Sequence, residues 1–232
     1  MNTKKVAIIP ARGGSRRIPK KNIRIFFGKH IIAHSIEASL KSDLFDEIMV
    51  STDDEEIANI AKKCGAKIPF MRSAKNSDDY ATTIDVLFEV LETYARIERY
   101  FDYFCCIYPA APFVTANHLV DSYNLLIKKK ADAIIPVARY GHPIQRCFKI
   151  KENGKLYNLW PKNRKRRTQD CEPTYYDVGQ FYWGRISSFF KYRDISAGNL
   201  FPYVVRETEF HDIDNLDDWE YAEQKYKLLH WI

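Results

Sequence analysis

Val6-Ala7-Ile8-Ile9-Pro10-Ala11-Arg12-Gly13-Gly14-Ser15-Arg16-Arg17-Ile18-Pro19-Lys20-Lys21-Asn22 joins a short apolar run to a loop of glycine, serine and base. The run reads as a buried strand that ends at Pro10. Residues 12–29 carry Arg12, Arg16, Arg17, Lys20, Lys21, Arg24 and Lys29 without one acid. Gly13-Gly14 lets a ligand approach the backbone closely and exposes N–H donors to an anion. Arg12 offers a bidentate fork to phosphate oxygens, and Lys21 a compact charge. Such density suits a triphosphate; the plain alternative is a solvated basic loop. The spacing is neither GxGxxG nor GxxxxGK[ST], which argues against a dehydrogenase and a P-loop ATPase.

Outward from this loop, short apolar strands alternate with helices. Residues 31–40 fit a helix, 47–52 a strand, and Ile57, Ile60, Ala61 and Cys64 recur with the helical period. A short third strand is expected at 67–70. Ile84, Leu87, Phe88, Leu91 and Tyr94 mark an amphipathic helix. A strand at 103–108, a helix at about 115–129 and a strand at 133–137 follow. Alternation of this kind predicts an α/β fold of Rossmann-like type, a mainly parallel sheet flanked by helices, with ligands beyond the strands' carboxyl ends.

The pattern breaks after Tyr140. Residues 148–151 and 155–157 flank Glu152-Asn153-Gly154, and Asn-Gly is a strong hairpin signal. Residues 141–178 therefore read as a β-rich excursion, with residues 1–140 and 179–232 forming the nucleotide-binding α/β domain. The sheet resumes at 181–183 and 202–205. A last helix starts at Asn215, with Asn215 at the N-cap and Asp218 at N3, and its buried stripe is expected to be Trp219, Ala222, Tyr226 and Leu229.

At 232 residues and 46% hydrophobic, the chain can bury a large core and is too apolar to be disordered. No run of 18 apolar residues appears, so no membrane contact is expected. The apolar stretch before Pro10 is too short for a signal-peptide core. Five cysteines without CxxC spacing argue against a disulfide framework and a zinc site and fit a cytoplasmic protein, with Cys105-Cys106 as buried small hydrophobes. Of the net charge of +6, five units sit in residues 162–167, read as a solvated loop, a dimer contact or a nucleic-acid patch. Two separate clusters favour specific anionic ligands over nucleic acid. His34, His142 and His211 lack partners at metal spacing, and no hydrolase nucleophile can be assembled.

Asp212-Ile213-Asp214 follows the strand at 202–205. Two carboxylates on a turn offer hard oxygen ligands for Mg²⁺ beside substrate phosphates, or they cap the next helix. Ser51-Thr52-Asp53-Asp54 reads as a helix cap rather than a catalytic pair. Thr82 suits a helix N-cap equally well.

The basic loop resembles the first signature of the sugar-acid cytidylyltransferases, roughly I-x-A-R-x-x-S-x-x-x-x-x-K-N. Ser51-Thr52-Asp53-Asp54, Arg72-Ser73-Ala74 with Asp79 and Thr82-Thr83, and His211-Asp212-Ile213-Asp214 match in the same order. Cys105-Cys106-Ile107-Tyr108-Pro109, Pro143-Ile144-Gln145-Arg146 and Asp177-Val178-Gly179-Gln180-Phe181-Tyr182-Trp183-Gly184 resemble the branch acting on pseudaminic acid. The similarity spans about residues 4–228.

The resemblance implies transfer of CMP from CTP to a nine-carbon sialic-type sugar acid. Arg12, Lys21 and Asp214 would be catalytic. Ala11, Arg12, Gly13, Gly14, Ser15, Arg16, Lys21, Asn22, Arg72, Asp79, Thr82 and Thr83 would bind CTP, and Asp212 and Asp214 would hold Mg²⁺. On the sugar side stand Tyr108, Gln145, Arg146, Asp177, Gln180 and Tyr182, with Trp183 read as core. The resemblance further implies a homodimer joined through the excursion, and a product used in flagellin glycosylation. N-acetylneuraminate, legionaminate and 3-deoxy-manno-octulosonate remain alternative acids, and a non-catalytic nucleotide or RNA binder a distant alternative. Pro109-Ala110 in place of the more usual Ala-Thr, and the heavier basic run at 162–167, depart from the branch pattern.

Overall fold

A computed structural model describes residues 3–230. The element order is β1 (Lys5–Pro10), β2 (Ile25–Phe26), β3 (Lys29–His30), α1 (Ile31–Lys41), β4 (Glu47–Ser51), α2 (Glu55–Lys63), α3 (Thr83–Arg96), β5 (Tyr103–Ile107), α4 (Ala116–Lys129) and β6 (Ala133–Arg139). Then come β7 (Phe148–Ile150), β8 (Leu156–Asn158), β9 (Tyr175–Asp177), β10 (Phe181–Arg185), α5 (Ile186–Tyr192), β11 (Leu200–Val204) and α6 (Leu216–His230).

The main sheet runs β11-β6-β10-β5-β1-β4, with β9 added to β6. β4, β1, β5, β6 and β11 share one direction; β10 and β9 oppose it. The pleat divides the side chains between two cores. Ala7, Ile9, Val50, Cys105, Ile107, Phe181 and Trp183 face α1, α2 and α4, while Val6, Ile8, Met49, Phe104, Cys106 and Tyr182 face α3 and α5. Burial on both faces explains why these strands read as unbroken apolar runs. Cys105 and Cys106 are buried, as expected, and Trp183 is core, its Nε1 donating to Ser122 Oγ at 3.1 Å.

The helix starts follow from their caps. Asp54 accepts from Ile57 N at 3.0 Å, which makes it the N-cap of α2. Thr82 and Asp85 form a capping box at α3. Asn215 and Asp218 exchange hydrogen bonds at the start of α6, at 3.0 Å each way. Trp219 and Ala222 are buried there, but Leu229 is exposed and does not belong to the stripe.

The strand expected at 67–70 reduces to one parallel bridge between Met49 and Lys67. Pro69 has no N–H to continue the ladder. The short β2–β3 ribbon and α5 were not anticipated. The hairpin at 153–154 forms as read, with Gly154 at φ 76°, but β7 and β8 make a separate two-stranded sheet. β9 lies within residues 141–178 yet pairs with β6 of the main sheet.

Candidate active site

A cavity of about 660 Å³ opens beyond the carboxyl ends of β1 and β5. Arg12, Ser15, Arg16, Arg17, Lys21 and Asn22 line one side of it. Arg72, Asp79, Thr82, Thr83, Tyr108, Tyr182, Asp212 and Asp214 line it as well. Residues more than 190 positions apart thus line one cavity.

Local geometry explains each placement. Lys20 sits in the left-handed region at φ 53° and starts a one-turn 3-10 helix at Lys21–Ile23. That turn sends Lys20 outward to Glu56 and Lys21 inward, where its Nζ donates to Ile213 O at 2.9 Å. Asn22 Nδ2 donates to Arg12 O at 2.9 Å, so its amide fixes the loop's shape. Arg72, anchored on Ser51 through Nε and Nη2, is almost fully buried against the end of β4.

Ala11, Gly13 and Gly14 do not line the cavity. Ala11 N donates to Ser51 O at 2.9 Å, and Gly13 N to Asp53 Oδ1 at 3.0 Å. A Cβ on Gly13 would stand 2.8 Å from Asp54 Oδ2. Gly13 therefore lacks a side chain so that the loop can lie against the start of α2, and its N–H is taken by Asp53.

Aspartates neutralise the arginines of the loop. Arg12 Nη1 pairs with Asp79 Oδ1 at 3.1 Å and donates to Asp78 O at 2.7 Å, and Arg16 also pairs with Asp79. Arg17 Nη2 pairs with Asp214 Oδ1 at 2.8 Å. Arg17, Asn76, Asp78 and Ala81 line the cavity without having been singled out in the sequence. For Arg17 the signal was present in the basic count, but nothing separated it from its neighbours.

Burial raises the Asp212 carboxyl above the usual range, Asp214 adds to this, and Lys21 opposes it. Burial lowers the Lys21 ammonium, and Asp214 and Asp212 pull it back up. Among the described residues no group of three His, Cys, Asp or Glu could hold a metal. A cation at Asp212 and Asp214 would need phosphate oxygens and water to complete its shell, the arrangement Mg²⁺ favours.

The antiparallel β10 reaches the cavity with its first residues. Tyr182 donates its O–H to Asp177 Oδ2 at 2.8 Å, and Asp177 Oδ1 accepts from Gly179 N at 2.9 Å. Tyr108 OH lies 3.1 Å from Thr83 Oγ1 and meets the Tyr182 ring edge-on. Burial raises both phenols, so both stay protonated. Asp177 thus acts on the wall through Tyr182 and does not itself line the cavity. Gln180 is buried behind the wall, with neither amide atom partnered. Gln145 and Arg146 do not reach the cavity in one copy of the chain: Gln145 Nε2 donates to Glu172 O at 2.9 Å and Arg146 Nη1 to Thr168 Oγ1 at 2.9 Å, both within the excursion.

A Rossmann-like sheet with a cationic loop after its first strand, facing an aspartate turn, is the arrangement of a nucleotidyltransferase. Residues 6–194 match the family model described as Cytidylyltransferase, and the chain belongs to that family. It is 39% identical over 227 residues to the pseudaminic acid cytidylyltransferase of Campylobacter jejuni, covering 98% of each chain. It is 29% identical over 233 residues to the CMP-N,N'-diacetyllegionaminic acid synthase of Legionella pneumophila, covering 96% of each. A solved CMP:2-keto-3-deoxy-manno-octonic acid synthetase complexed with CTP shares the fold at a TM-score of 0.70 and 18% identity, covering 97% of this chain and 99% of that one. No helix of the described residues is long and apolar enough to cross a membrane.

Proposed function

We propose that the chain joins CTP to pseudaminic acid, giving CMP-pseudaminic acid and pyrophosphate. One observation carries this reading: the cationic loop, the aspartate turn and the Tyr108 and Tyr182 wall line a single cavity. The full-length similarity to the Campylobacter jejuni enzyme supports the choice of acid.

The anomeric hydroxyl oxygen of the sugar attacks the α-phosphorus in line. The new O–P bond forms as the α–β bridge bond breaks, pyrophosphate leaves with that electron pair, and the hydroxyl proton goes to solvent. No covalent enzyme intermediate is required, because positioning and charge neutralisation lower the barrier. Arg12 and Lys21 hold the triphosphate and meet the charge that develops on pyrophosphate. Arg72 and Thr83 border the nucleotide side, and the Tyr108 and Tyr182 hydroxyls face the sugar. Asp212 and Asp214 would hold Mg²⁺, which when bound supplies neutralisation of phosphate charge.

A second copy docks through the excursion. Phe148, Ile150 and Leu156 of its hairpin are exposed at 61%, 68% and 66%, an apolar face that a partner would cover. Gln145 and Arg146 would then serve a site completed between copies. All five cysteines are free thiols, which supports a reducing cytoplasmic setting.

The test is mass spectrometry of the product formed from CTP, pseudaminic acid and Mg²⁺. A CMP-linked nonulosonate with stoichiometric pyrophosphate is expected. Bound but unreacted CTP, with folded protein, would overturn the reading.

A further inference from the structure

Arg17 is the one arginine of the loop that engages the aspartate turn: its Nη2 lies 2.8 Å from Asp214 Oδ1, whereas Arg12 and Arg16 pair with Asp79. The backbone beneath it is fixed, because the next residue, Ile18, is fully buried among Phe26, Phe113, Ile213 and Trp219. The side chain itself is 68% exposed, so the guanidinium can change partner without moving the loop. Lys21 differs, since its Nζ is half-buried and committed to Ile213 O.

We propose that Arg17 is a displaceable counter-ion. It neutralises Asp214 until the divalent cation arrives, and it then turns to the triphosphate held in the same cavity. The inference rests on the reading of Asp212 and Asp214 as the cation's ligands. An oxygen that accepts from a guanidinium competes poorly for a cation, since both draw on the same lone pairs and negative charge. Arg17 lines the same cavity as Ser15 and Lys21, where a released guanidinium would find phosphate oxygens. One residue would thereby weaken cation binding to the free enzyme and strengthen nucleotide binding, so that cation and nucleotide load together.

Substitution should therefore push two affinities in opposite directions. Arg17→Gln should bind Mn²⁺, the spectroscopic stand-in for Mg²⁺, roughly threefold to fivefold tighter without nucleotide, the scale of one exposed ion pair. The same variant should raise the KM for CTP about tenfold, the scale of a lost charge-assisted hydrogen bond. Arg16→Gln, whose partner is Asp79, should leave Mn²⁺ affinity unchanged.

The measurement is electron paramagnetic resonance of free Mn²⁺ titrated with the full chain, using wild type, Arg17→Gln, Arg16→Gln and Asp214→Asn. Tighter binding by Arg17→Gln alone supports the counter-ion role. Equal binding by wild type and Arg17→Gln, with Asp214→Asn weakened, overturns that role and leaves the cation site standing. Wild-type binding by Asp214→Asn overturns the cation reading and the inference with it; binding by none of the four overturns the inference, which requires that the free enzyme take up the cation.

Discussion

Lys21 Nζ donates to the Ile213 carbonyl at 2.9 Å, tying the loop after the first strand to the aspartate turn 192 residues later. Together with the Arg17–Asp214 pair and the packing of Ile18 with Ile213, this bond holds the cations and the carboxylates of the cavity on one frame. With it, the cationic loop and the aspartate turn keep a fixed separation, which is what the proposed in-line transfer requires of its scaffold.

Lys21→Ala should therefore lower kcat/KM by at least about 100-fold, the scale of removing one preorganised charge from a transition state. Lost turnover with an unchanged thermal midpoint would place the effect in the site. Near-normal pyrophosphate release would show that the ammonium only braces the turn.

The Tyr182 hydroxyl donates to Asp177 at 2.8 Å, in the wall that the proposed reaction gives to the sugar acid. Tyr182→Phe removes that donor and should raise the KM for the sugar acid about tenfold, with the KM for CTP within about twofold. Equal rises in both constants would mean that the wall collapses as a whole, contradicting a sugar-side role.

Glu47 tests the frame rather than the chemistry. Its carboxylate is fully buried and accepts from Tyr94 O–H at 2.5 Å and from Arg99 Nη1, at 3.0 Å, and Nη2. Glu47→Ala leaves a buried phenol and a guanidinium without their acceptor, so urea unfolding should show a loss of about 3 kcal/mol. A loss below about 1 kcal/mol would mean that water replaces the carboxylate.

His34 sets an acid limit on stability. Burial lowers its pKa from 6.5 to about 4, with Phe26 O 3.0 Å from Nε2. Between those values the unfolded chain takes up a proton that the folded chain refuses. The histidine is therefore no burden above pH 6.5 and costs stability as pH falls from 6.5 toward 4, up to about 3 kcal/mol. Denaturation at pH 7.5 and pH 5 should show a smaller drop for His34→Gln than for wild type; equal drops would assign the acid sensitivity elsewhere.

The site was legible in the sequence where chemistry and backbone signals coincide. Arg12, Lys21 and Asp214 stand out as candidates because cations follow a strand and carboxylates precede a helix, and each lines the cavity. Asp54 was read as a cap and is one. Gly13 packs against Asp54 and gives its N–H to Asp53, a role that looks in sequence the same as one toward a ligand. The direction of β10 was invisible, since an apolar run is the same read either way. That direction nevertheless brings Tyr182 to the cavity and leaves Asp177 behind it. Gln145 and Arg146 were grouped with the sugar side by resemblance, and in one chain they bond within the excursion.

The most direct measurement is kcat/KM for pyrophosphate release with CTP and Mg²⁺, offered pseudaminic acid, N-acetylneuraminate and 3-deoxy-manno-octulosonate in parallel. Turnover with pseudaminic acid, abolished by EDTA and at least about 100-fold below that rate with the other two, is the predicted result, the margin expected when buried polar groups are left unpaired. Preference for either other acid would contradict the assignment of the Tyr108 and Tyr182 wall, and silence with all three would contradict the transfer itself.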